Sequence, residues 1–318
     1  MERFRAQDTV LKASVLALAG AVITVVSIAV AFAVRDEAAP LDTRPANLAS
    51  AVGSTTETIT PKRTFPDTAV AARAAIVIDL STGEAVYAKN ADAALPLASI
   101  TKLMTTYVAA RRGVLETTHT IDATDLATEG ESGLIAGDTL TVEQLIALAL
   151  VPSSNDSATA IARATADNVT RFVGYMNDEA KRLGAKNMNF KNPTGLDEDL
   201  STAGAVGSAR DVSKLIGALA AEYRDIVRPS TNRVLTETGT FGIEYRHENT
   251  NPTVPSIAGL IVSKTGFTDL AGGNLAIAFD AGVNEPYAIV VLGSTQEGRF
   301  ADVMTLASST AAYLKSGE

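Results

Sequence analysis

Residues 97–105 read Leu-Ala-Ser-Ile-Thr-Lys-Leu-Met-Thr, a stretch that combines a polar pair with an apolar stripe. Ser99 precedes Lys102 by three positions, so on a helix the two side chains lie on the same side. The apolar residues after Ser99 recur at helical spacing: Ile100, Leu103, Met104, Tyr107 and Val108. This periodicity predicts a helix that begins beside Ser99 and packs into the core.

A serine hydroxyl is a weak nucleophile, and it needs a base beside it. Lys102 can be that base if burial lowers the pKa of its amine. A serine at a helix start also has free backbone N–H groups and the positive end of the helix dipole close to a developing oxyanion. A four-residue Ser-x-x-Lys pattern also occurs by chance, so the pair alone leaves nucleophilic catalysis and coincidence both open.

Two later motifs carry further polar groups. Ser153-Ser154-Asn155 follows Pro152 in a turn between two predicted helices, and Lys264-Thr265-Gly266 ends an apolar strand. A strand beside a cleft can pair with an extended peptide, while Lys and Thr side chains meet a carboxylate and Gly permits close approach. Turn formation or helix capping is the alternative for a Ser-x-Asn segment, since residues 230–232 have the same form.

The order of predicted elements indicates an α+β domain. Strands are expected at 75–80 and 84–88 and again at 260–264, 274–279 and 287–293. Between and after them we expect helices from residue 100, at 142–150 after a Thr141–Gln144 capping box, and at 157–165, 169–183, 209–222 and 300–314. We expect both ends of the domain to pair into one antiparallel sheet packed with helices, with a mostly helical insert beside it.

The first 70 residues are predicted to lie outside the folded domain. Residues 13–34 carry no charge, follow Arg3, Arg5 and Lys12, and are long enough to span a bilayer. They predict a cytoplasmic segment at 1–12 and an N-terminal membrane anchor at 13–34, or a signal peptide cleaved near 31–33. Residues 35–70 predict a flexible linker, and 71–318 the folded domain. Both interpretations place the domain outside the cytoplasm. A retained anchor would hold it at the cytoplasmic membrane, and a cleaved signal peptide would leave it secreted.

Composition excludes several classes of function. The formal net charge is −9, and the chain has no basic stripe, so we expect no nucleic-acid partner. Cysteine is absent and histidine occurs twice, at His119 and His247. We expect no metal and no cofactor, a surface position for His247 and no functional role for His119.

The three motifs in their order are far more specific than any one of them. In this arrangement the chain resembles the penicillin-recognising serine enzymes, most of all the low-molecular-mass penicillin-binding proteins that are D-alanyl-D-alanine carboxypeptidases. The resemblance covers about residues 70–318 and extends to Asn192-Pro193-Thr194-Gly195-Leu196 and Asn249-Thr250-Asn251. It implies the β-lactamase/transpeptidase-like fold and a serine D,D-peptidase catalytic domain.

The resemblance also implies residue roles. Ser99 would attack the D-Ala-D-Ala peptide bond of a peptidoglycan stem peptide and form an acyl-enzyme, with Lys102 as base and Ser153 as proton relay. Five further positions would bind substrate: Asn155 holds the peptide group, Lys264 and Thr265 hold the terminal carboxylate beside Gly266, and the N–H of Phe267 binds the oxyanion together with the N–H of Ser99. β-Lactam antibiotics would acylate the same serine.

Some features depart from the pattern, and some alternatives stay open. Thr250 stands where some relatives place an arginine, so carboxylate recognition would rest more on Lys264 and Thr265. Ser154 replaces the usual aspartate of a class A β-lactamase, and the chain has no Glu-x-x-Leu-Asn loop. A D,D-endopeptidase that cleaves cross-links would use the same residues, and a non-catalytic β-lactam-binding module is the remaining alternative.

Overall fold

The computed structural model describes residues 63–130, 133–282 and 284–316. The strands are β1 (Ala74–Asp79), β2 (Ala85–Lys89), β3 (Leu95–Pro96), β4 (Thr118–Thr120), β5 (Thr139–Thr141), β6 (Asn189–Phe190), β7 (Ala205–Gly207), β8 (Val234–Thr238), β9 (Glu244–Glu248), β10 (Leu260–Thr268), β11 (Gly272–Asp280) and β12 (Pro286–Ser294). The α-helices are α1 (Thr101–Arg112), α2 (Val142–Leu150), α3 (Asn155–Ala166), α4 (Val169–Arg182), α5 (Ala209–Glu222), α6 (Arg224–Val227) and α7 (Gly298–Lys315).

The predicted N-terminal segments at 1–12 and 13–34 lie outside the described residues, as does the linker up to residue 62. None of the helices in the described part of the chain is long and apolar enough to cross a bilayer. The ring of Phe65 packs 5.5 Å from that of Tyr87 and 5.8 Å from that of Tyr313, measured between centroids. Tertiary packing therefore begins ahead of the predicted domain boundary at residue 71.

The main sheet joins the two ends of the domain. Its strand order is β10-β11-β12-β1-β2, and every neighbouring pair is antiparallel. Val77 of β1 lies opposite Ile289 of β12, which in turn lies opposite Ile277 of β11. The predicted α+β architecture, with a sheet drawn from both ends of the domain, is confirmed.

Helices cover both faces of this sheet, which explains why its central strands are apolar on both sides. Ile76 and Ile78 belong to the same core as Val212 and Leu215 of α5. The intervening Val77 faces the opposite core, with Val303 and Leu306 of α7. Successive side chains on a strand point to opposite faces, so each β1 residue serves one of two cores. Helices α1 to α4 form the predicted insert beside α5.

Element boundaries differ from the sequence prediction at two functionally important points. Helix α3 begins at Asn155 rather than residue 157, because the Ser154 hydroxyl caps it by accepting from the Ser157 N–H at 3.0 Å. Strand β10 continues through Thr268 instead of ending at Lys264, since Phe267 still pairs with Gly273 of β11. The Lys-Thr-Gly motif therefore lies within an edge strand.

The capping box predicted for α2 is confirmed. The Thr141 hydroxyl accepts from the backbone N–H of Gln144, and the Gln144 side chain accepts from the N–H of Thr141. These two reciprocal hydrogen bonds fix the start of α2. The helix ends near Pro152, where the chain turns into the Ser-Ser-Asn segment.

Candidate active site

Ser99 lies in a single 3₁₀ turn, Ala98–Ile100, directly before α1. Ala98 adopts a positive φ of 48°, an uncommon conformation for a residue with a side chain, and such strain clusters at functional sites. Asn274 of β11 stabilises the chain leading into this turn, because its Nδ2 donates to the carbonyls of Pro96 and Leu97 at 3.0 Å each. The serine is thus presented by a rigid, strained turn at the start of a buried helix.

Two glycines let neighbouring segments approach this turn. A Cβ at Gly195, whose φ is +82°, would lie 1.9 Å from the carbonyl oxygen of Ala98. A Cβ at Gly266 would lie 3.2 Å from the backbone nitrogen of Ser99. The 192–195 loop and strand β10 therefore contact the Ser99 turn through their backbones, in a way that larger residues would prevent.

Lys102 is fully buried and donates to three oxygens from its Nζ. These are Ser99 Oγ at 2.7 Å, Asn155 Oδ1 at 2.7 Å and the Thr194 carbonyl at 3.1 Å. Burial lowers the pKa of this amine to about 7, because the charged form loses its hydration. A substantial fraction of Lys102 is therefore neutral at neutral pH.

The partners of Lys102 also fix how the neutral amine is oriented. A neutral amine has two N–H donors and one lone pair. The Thr194 carbonyl can only accept, and Asn155 Oδ1 can only accept as well, because Asn155 Nδ2 donates to the Glu129 carbonyl at 2.7 Å. Both N–H groups are then occupied, and the lone pair faces the Ser99 hydroxyl. This is the arrangement that a general base requires.

Asn155 therefore positions Lys102, a role that the sequence did not predict. Its side-chain amide accepts from the Lys102 amine and donates to the Glu129 carbonyl, and α3 begins at its backbone. The chain enters α3 through Ser153, whose φ is +67°, and the cap Ser154. The signal available in the sequence was the position of Asn155 at a helix N-terminus, which the predicted start at residue 157 missed.

Ser153 and Lys264 face each other across the cleft. Lys264 Nζ donates to Ser153 Oγ at 2.9 Å and to the Thr265 carbonyl at 3.0 Å. Burial holds the pKa of Lys264 well below its usual range, and the nearby cations Lys102 and Arg299 lower it further. The three motifs thus meet at one place, with Ser153 beside the second lysine and Ser99 beside the first.

Thr265 forms the other wall of the cleft together with Thr250. Their hydroxyl oxygens are 2.7 Å apart, and Thr250 also donates from its hydroxyl to the Val151 carbonyl at 3.2 Å. With its proton used there, the Thr250 hydroxyl accepts from Thr265. The structure therefore places Thr250, the departure noted in the sequence, in direct contact with Thr265.

Arg299 is a site residue that the sequence analysis missed. It lies at the start of α7, is only 7% exposed, and donates from Nη1 to the Gly266 carbonyl at 2.8 Å. Burial lowers the pKa of its guanidinium. A single arginine in a helical stretch gives no sequence signal, because only the fold, in which α7 packs against β11 and β12, brings Arg299 to the Lys-Thr-Gly strand.

The remaining polar candidates serve other purposes. Ser230, in the second Ser-x-Asn segment, is buried, donates to the Val227 carbonyl and accepts from the backbone N–H of Ser263. It supports β10 from outside the cleft. His119, for which we expected no functional role, hydrogen-bonds Asp125 at 2.8 Å, and Asp125 also pairs with Arg163 of α3 at 2.7 Å.

His247 lies on β9, close to Gly133, where a Cβ would be 3.8 Å from its ring. Groups of three or more His, Asp or Glu side chains suited to a metal ion are absent from the described part of the chain.

Comparison with known proteins identifies this constellation. Residues 59–296 match the family described as D-alanyl-D-alanine carboxypeptidase. The chain belongs to this family. The match includes all three motifs and ends within the segment that leads to α7.

Individual relatives agree with the family match. The chain is 30% identical over 243 residues to the D-alanyl-D-alanine carboxypeptidase DacF of Bacillus subtilis, covering 73% of this chain and 60% of that protein. It is 32% identical to the D-alanyl-D-alanine endopeptidase of Escherichia coli, covering 70% of this chain and 71% of the relative. The chain thus spans about 60% of the length of the Bacillus protein.

A solved structure shows the same fold. Penicillin-binding protein D2 of Listeria monocytogenes, in an ampicillin-bound form, superposes with a TM-score of 0.64 at 27% identity. The likeness covers 77% of this chain and 98% of the Listeria chain. The expected penicillin-binding-protein fold is confirmed.

Proposed function

We propose that this chain is a serine D-Ala-D-Ala carboxypeptidase that removes the terminal D-alanine from peptidoglycan stem peptides. The observation that carries the proposal is the Ser99 hydroxyl 2.7 Å from a buried lysine amine whose other two partners are acceptors. This arrangement leaves the lone pair of neutral Lys102 for the hydroxyl proton. Membership in the carboxypeptidase family supplies the substrate class.

In the acylation step, Ser99 Oγ attacks the carbonyl carbon of the scissile bond while Lys102 takes the hydroxyl proton. The oxyanion forms between the N–H groups of Ser99 and Phe267, which the close approach at Gly266 brings together. Collapse of the tetrahedral intermediate breaks the C–N bond. The proton reaches the leaving D-alanine amine through Ser153, whose hydroxyl oxygen accepts from Lys264 Nζ.

Recognition of the substrate's terminal carboxylate rests on the middle of β10 and on Arg299 of α7. Arg299 supplies positive charge, Lys264 becomes protonated as the anionic carboxylate approaches, and the Thr265 hydroxyl turns its proton from Thr250 to the carboxylate. Both cations are buried, so their field is screened less than that of surface charges. An anionic chain end therefore binds favourably although the whole protein carries a net charge of −9.

Release of the product requires water to attack the acyl-enzyme. Lys102 is neutral again once its proton has passed to the leaving amine, so it can take a proton from the attacking water. That proton goes to Ser99 Oγ as the bond between the acyl carbon and Oγ breaks. A β-lactam would open its ring on Ser99 by the same attack. Its amine stays attached to the acyl group and does not depart, so the adduct is long-lived, which fits the ampicillin complex of the Listeria relative.

The second candidate function is D,D-endopeptidase activity on peptidoglycan cross-links. It is favoured by the 32% identity to the E. coli endopeptidase, of which the chain covers more than two thirds. Both activities use the same nucleophile and differ only in what is attached to the leaving amine. Product analysis separates them.

Purified protein is incubated with a stem pentapeptide and, separately, with cross-linked dimers. Free D-alanine and a tetrapeptide from the pentapeptide support the carboxypeptidase, and Ser99→Ala should release neither. Loss of dimers without any free D-alanine from the pentapeptide would overturn the proposal in favour of the endopeptidase. No release from either substrate by a folded protein would contradict both.

We also propose that the domain works outside the cytoplasmic membrane. The uncharged segment at 13–34 and the basic residues before it support an N-terminal anchor with the catalytic domain exported. Membrane fractionation of cells that express the full chain, with N-terminal sequencing, tests this. An intact N-terminus in the membrane fraction supports the anchor, a new N-terminus near residue 34 supports signal cleavage, and a full-length cytosolic protein would contradict export.

A further inference from the structure

Three polar residues recur at every fourth position along helix α3: Asn155, Thr159 and Arg163. Residues four apart lie on the same side of a helix, so these side chains form one row, about 12 Å long at about 1.5 Å per residue. The row begins beside Lys102 and ends in the last turn of the helix. All three side chains hydrogen-bond one neighbouring stretch of chain, residues 122–129, which we call segment 122–129.

The Arg163 guanidinium holds the start of this segment. It forms a bidentate pair with Asp122, from Nη1 to Oδ1 and from Nη2 to Oδ2 at 2.7 Å each, and Nη1 also donates to Asp125 Oδ1 at 2.7 Å. Asp125 is fully buried, and His119 hydrogen-bonds its other oxygen at 2.8 Å. Charge-assisted hydrogen bonds in this fork geometry fix direction as well as distance. One arginine thus fixes two residues of the segment against α3.

The end of the segment follows the same face of α3. The hydroxyl oxygen of Thr128 lies 3.1 Å from that of Thr159. One residue later, the Glu129 carbonyl accepts from Asn155 Nδ2 at 2.7 Å. Segment 122–129 and α3 are therefore joined at three successive turns of the helix, and the last junction is the one that contacts the Asn155 amide.

The Glu129 carbonyl decides which way round the Asn155 amide lies. With the carbonyl in place, Nδ2 faces it and Oδ1 faces Lys102, whose lone pair is left for Ser99. Rotating the amide by a half turn would place Nδ2 against Lys102. The neutral amine would then accept from Nδ2, and its lone pair would be unavailable as a base. An ammonium group has no lone pair, so it keeps the original orientation.

We propose that Arg163 and Thr159 are positioning residues for the base, because they fix segment 122–129 and with it the Glu129 carbonyl. A rotated Asn155 amide would set its Oδ1 against this carbonyl, with two acceptors facing each other. A carbonyl that is held in place cannot move away from this contact, so the rotated amide is excluded. Both residues act on Lys102 through this carbonyl and this amide. The inference rests on the proposed carboxypeptidase function.

Loosening segment 122–129 has a specific consequence for the pH dependence of acylation. The rotated amide becomes accessible, but only to neutral Lys102. If it traps about nine tenths of the neutral amine, the plateau rate at high pH falls about tenfold. Trapping also favours the neutral form, so the pKa of Lys102 falls by about one unit. Well below both midpoints the rates of wild type and variant coincide, because the same small fraction of chains has a free lone pair.

The test measures labelling by a fluorescent penicillin from pH 5.5 to 9 in the wild type and in Arg163→Met. We expect the variant to have a plateau about tenfold lower and a midpoint about one pH unit below the wild-type value near 7, with nearly equal rates at pH 5.5. Arg210→Met is the matched control, because Arg210 on α5 also donates to a carboxylate, that of Asp92, at 2.7 Å. Its plateau and midpoint should equal those of the wild type.

Two results from a folded Arg163→Met would overturn the proposal while leaving the carboxypeptidase function intact. One is a plateau and a midpoint equal to those of the wild type. The other is a rate that is lower by the same factor at every pH, which is the result of structural damage that leaves the orientation of the amide unchanged. A folded wild type that is not labelled at any pH would overturn the proposed function, and this inference with it.

A second variant serves if Arg163→Met does not fold. Thr159→Val removes only the hydroxyl that contacts Thr128, so we expect a plateau about threefold lower and a midpoint about half a unit lower. Thr165→Val is its control, since the Thr165 hydroxyl donates to the Ile161 carbonyl within the same helix, and it should behave as the wild type. A midpoint in Thr159→Val equal to that of Thr165→Val would overturn the proposal.

Discussion

Replacing Asn155 with aspartate tests the assignment of Lys102 as a neutral base. The substitution is nearly isosteric, and it places a negative charge on the atom that accepts from Lys102 Nζ at 2.7 Å. A negative charge at this distance favours the protonated amine and raises the pKa of Lys102 by about 1–3 units. The base would then be charged at neutral pH.

The expected loss of rate follows from the fraction of neutral Lys102. With a pKa of about 7, half of the amine is neutral at pH 7. A rise of 1–3 units leaves about 10% to 0.1% neutral, so acylation at pH 7 should slow about fivefold to five-hundredfold. The rate of labelling by a fluorescent penicillin, measured from pH 5.5 to 10, should rise through a midpoint near pH 7 in the wild type and at a higher pH in the variant.

Two controls separate this effect from damage to the site. Asn168→Asp replaces one good helix cap by another at the start of α4, and its midpoint should stay near pH 7. In Asn155→Asp a carboxylate oxygen replaces the Nδ2 group that donates to the Glu129 carbonyl, so two acceptors face each other. Thermal unfolding measures how much stability the variant loses through this contact. A midpoint that is unchanged or lower in a folded Asn155→Asp would refute the assignment of Lys102 as the base.

Four further substitutions have defined outcomes. Lys102→Met should abolish penicillin labelling. The wild-type amine, with a pKa of about 7 against 10.5 when unfolded, adds up to about 5 kcal/mol to the free energy of unfolding between pH 7 and 10.5. In denaturant titrations the rise over this range should be smaller by that amount in the variant, which keeps only the contribution of Lys264. Gly195→Ala should lose more than about 3 kcal/mol, because its Cβ would strike the Ala98 carbonyl. Gly83→Ala, also at positive φ but with nothing within 4 Å, should lose about 1–2 kcal/mol; equal losses in chemical denaturation would contradict the contact. Arg299→Gln should reduce the preference for a free over an amidated peptide C-terminus about tenfold in kcat/KM, and an undiminished preference would remove Arg299 from carboxylate recognition.

The sequence predicted the parts of this molecule that depend on local pattern. The apolar spacing after Ser99 gave α1, and the Thr141–Gln144 pair gave the start of α2. The strands at both ends of the domain were recognised from their apolar runs, and their pairing followed from the general layering of α+β domains. The motif residues Ser99, Lys102 and Lys264 were also identified from the sequence.

Other features could not be read from the sequence because they depend on contacts between distant segments. Arg299 reaches Gly266 only because α7 packs against β11 and β12, the strands next to β10 in the sheet. Asn155 orients Lys102 only because the Glu129 carbonyl accepts from its amide N–H. Both interactions join residues tens of positions apart. No periodicity or local motif encodes such pairs. The orientation of Lys102 and the position of Arg299 could therefore be seen only in the folded structure.

The central claim, that Ser99 is the nucleophile of this site, is tested most directly by mass spectrometry of the protein after incubation with benzylpenicillin. The account predicts one adduct with the full mass of the penicillin per chain. Peptide mapping should place it on Ser99, and Ser99→Ala should carry none. An adduct on any other residue, or no adduct on a folded wild-type protein, would contradict it.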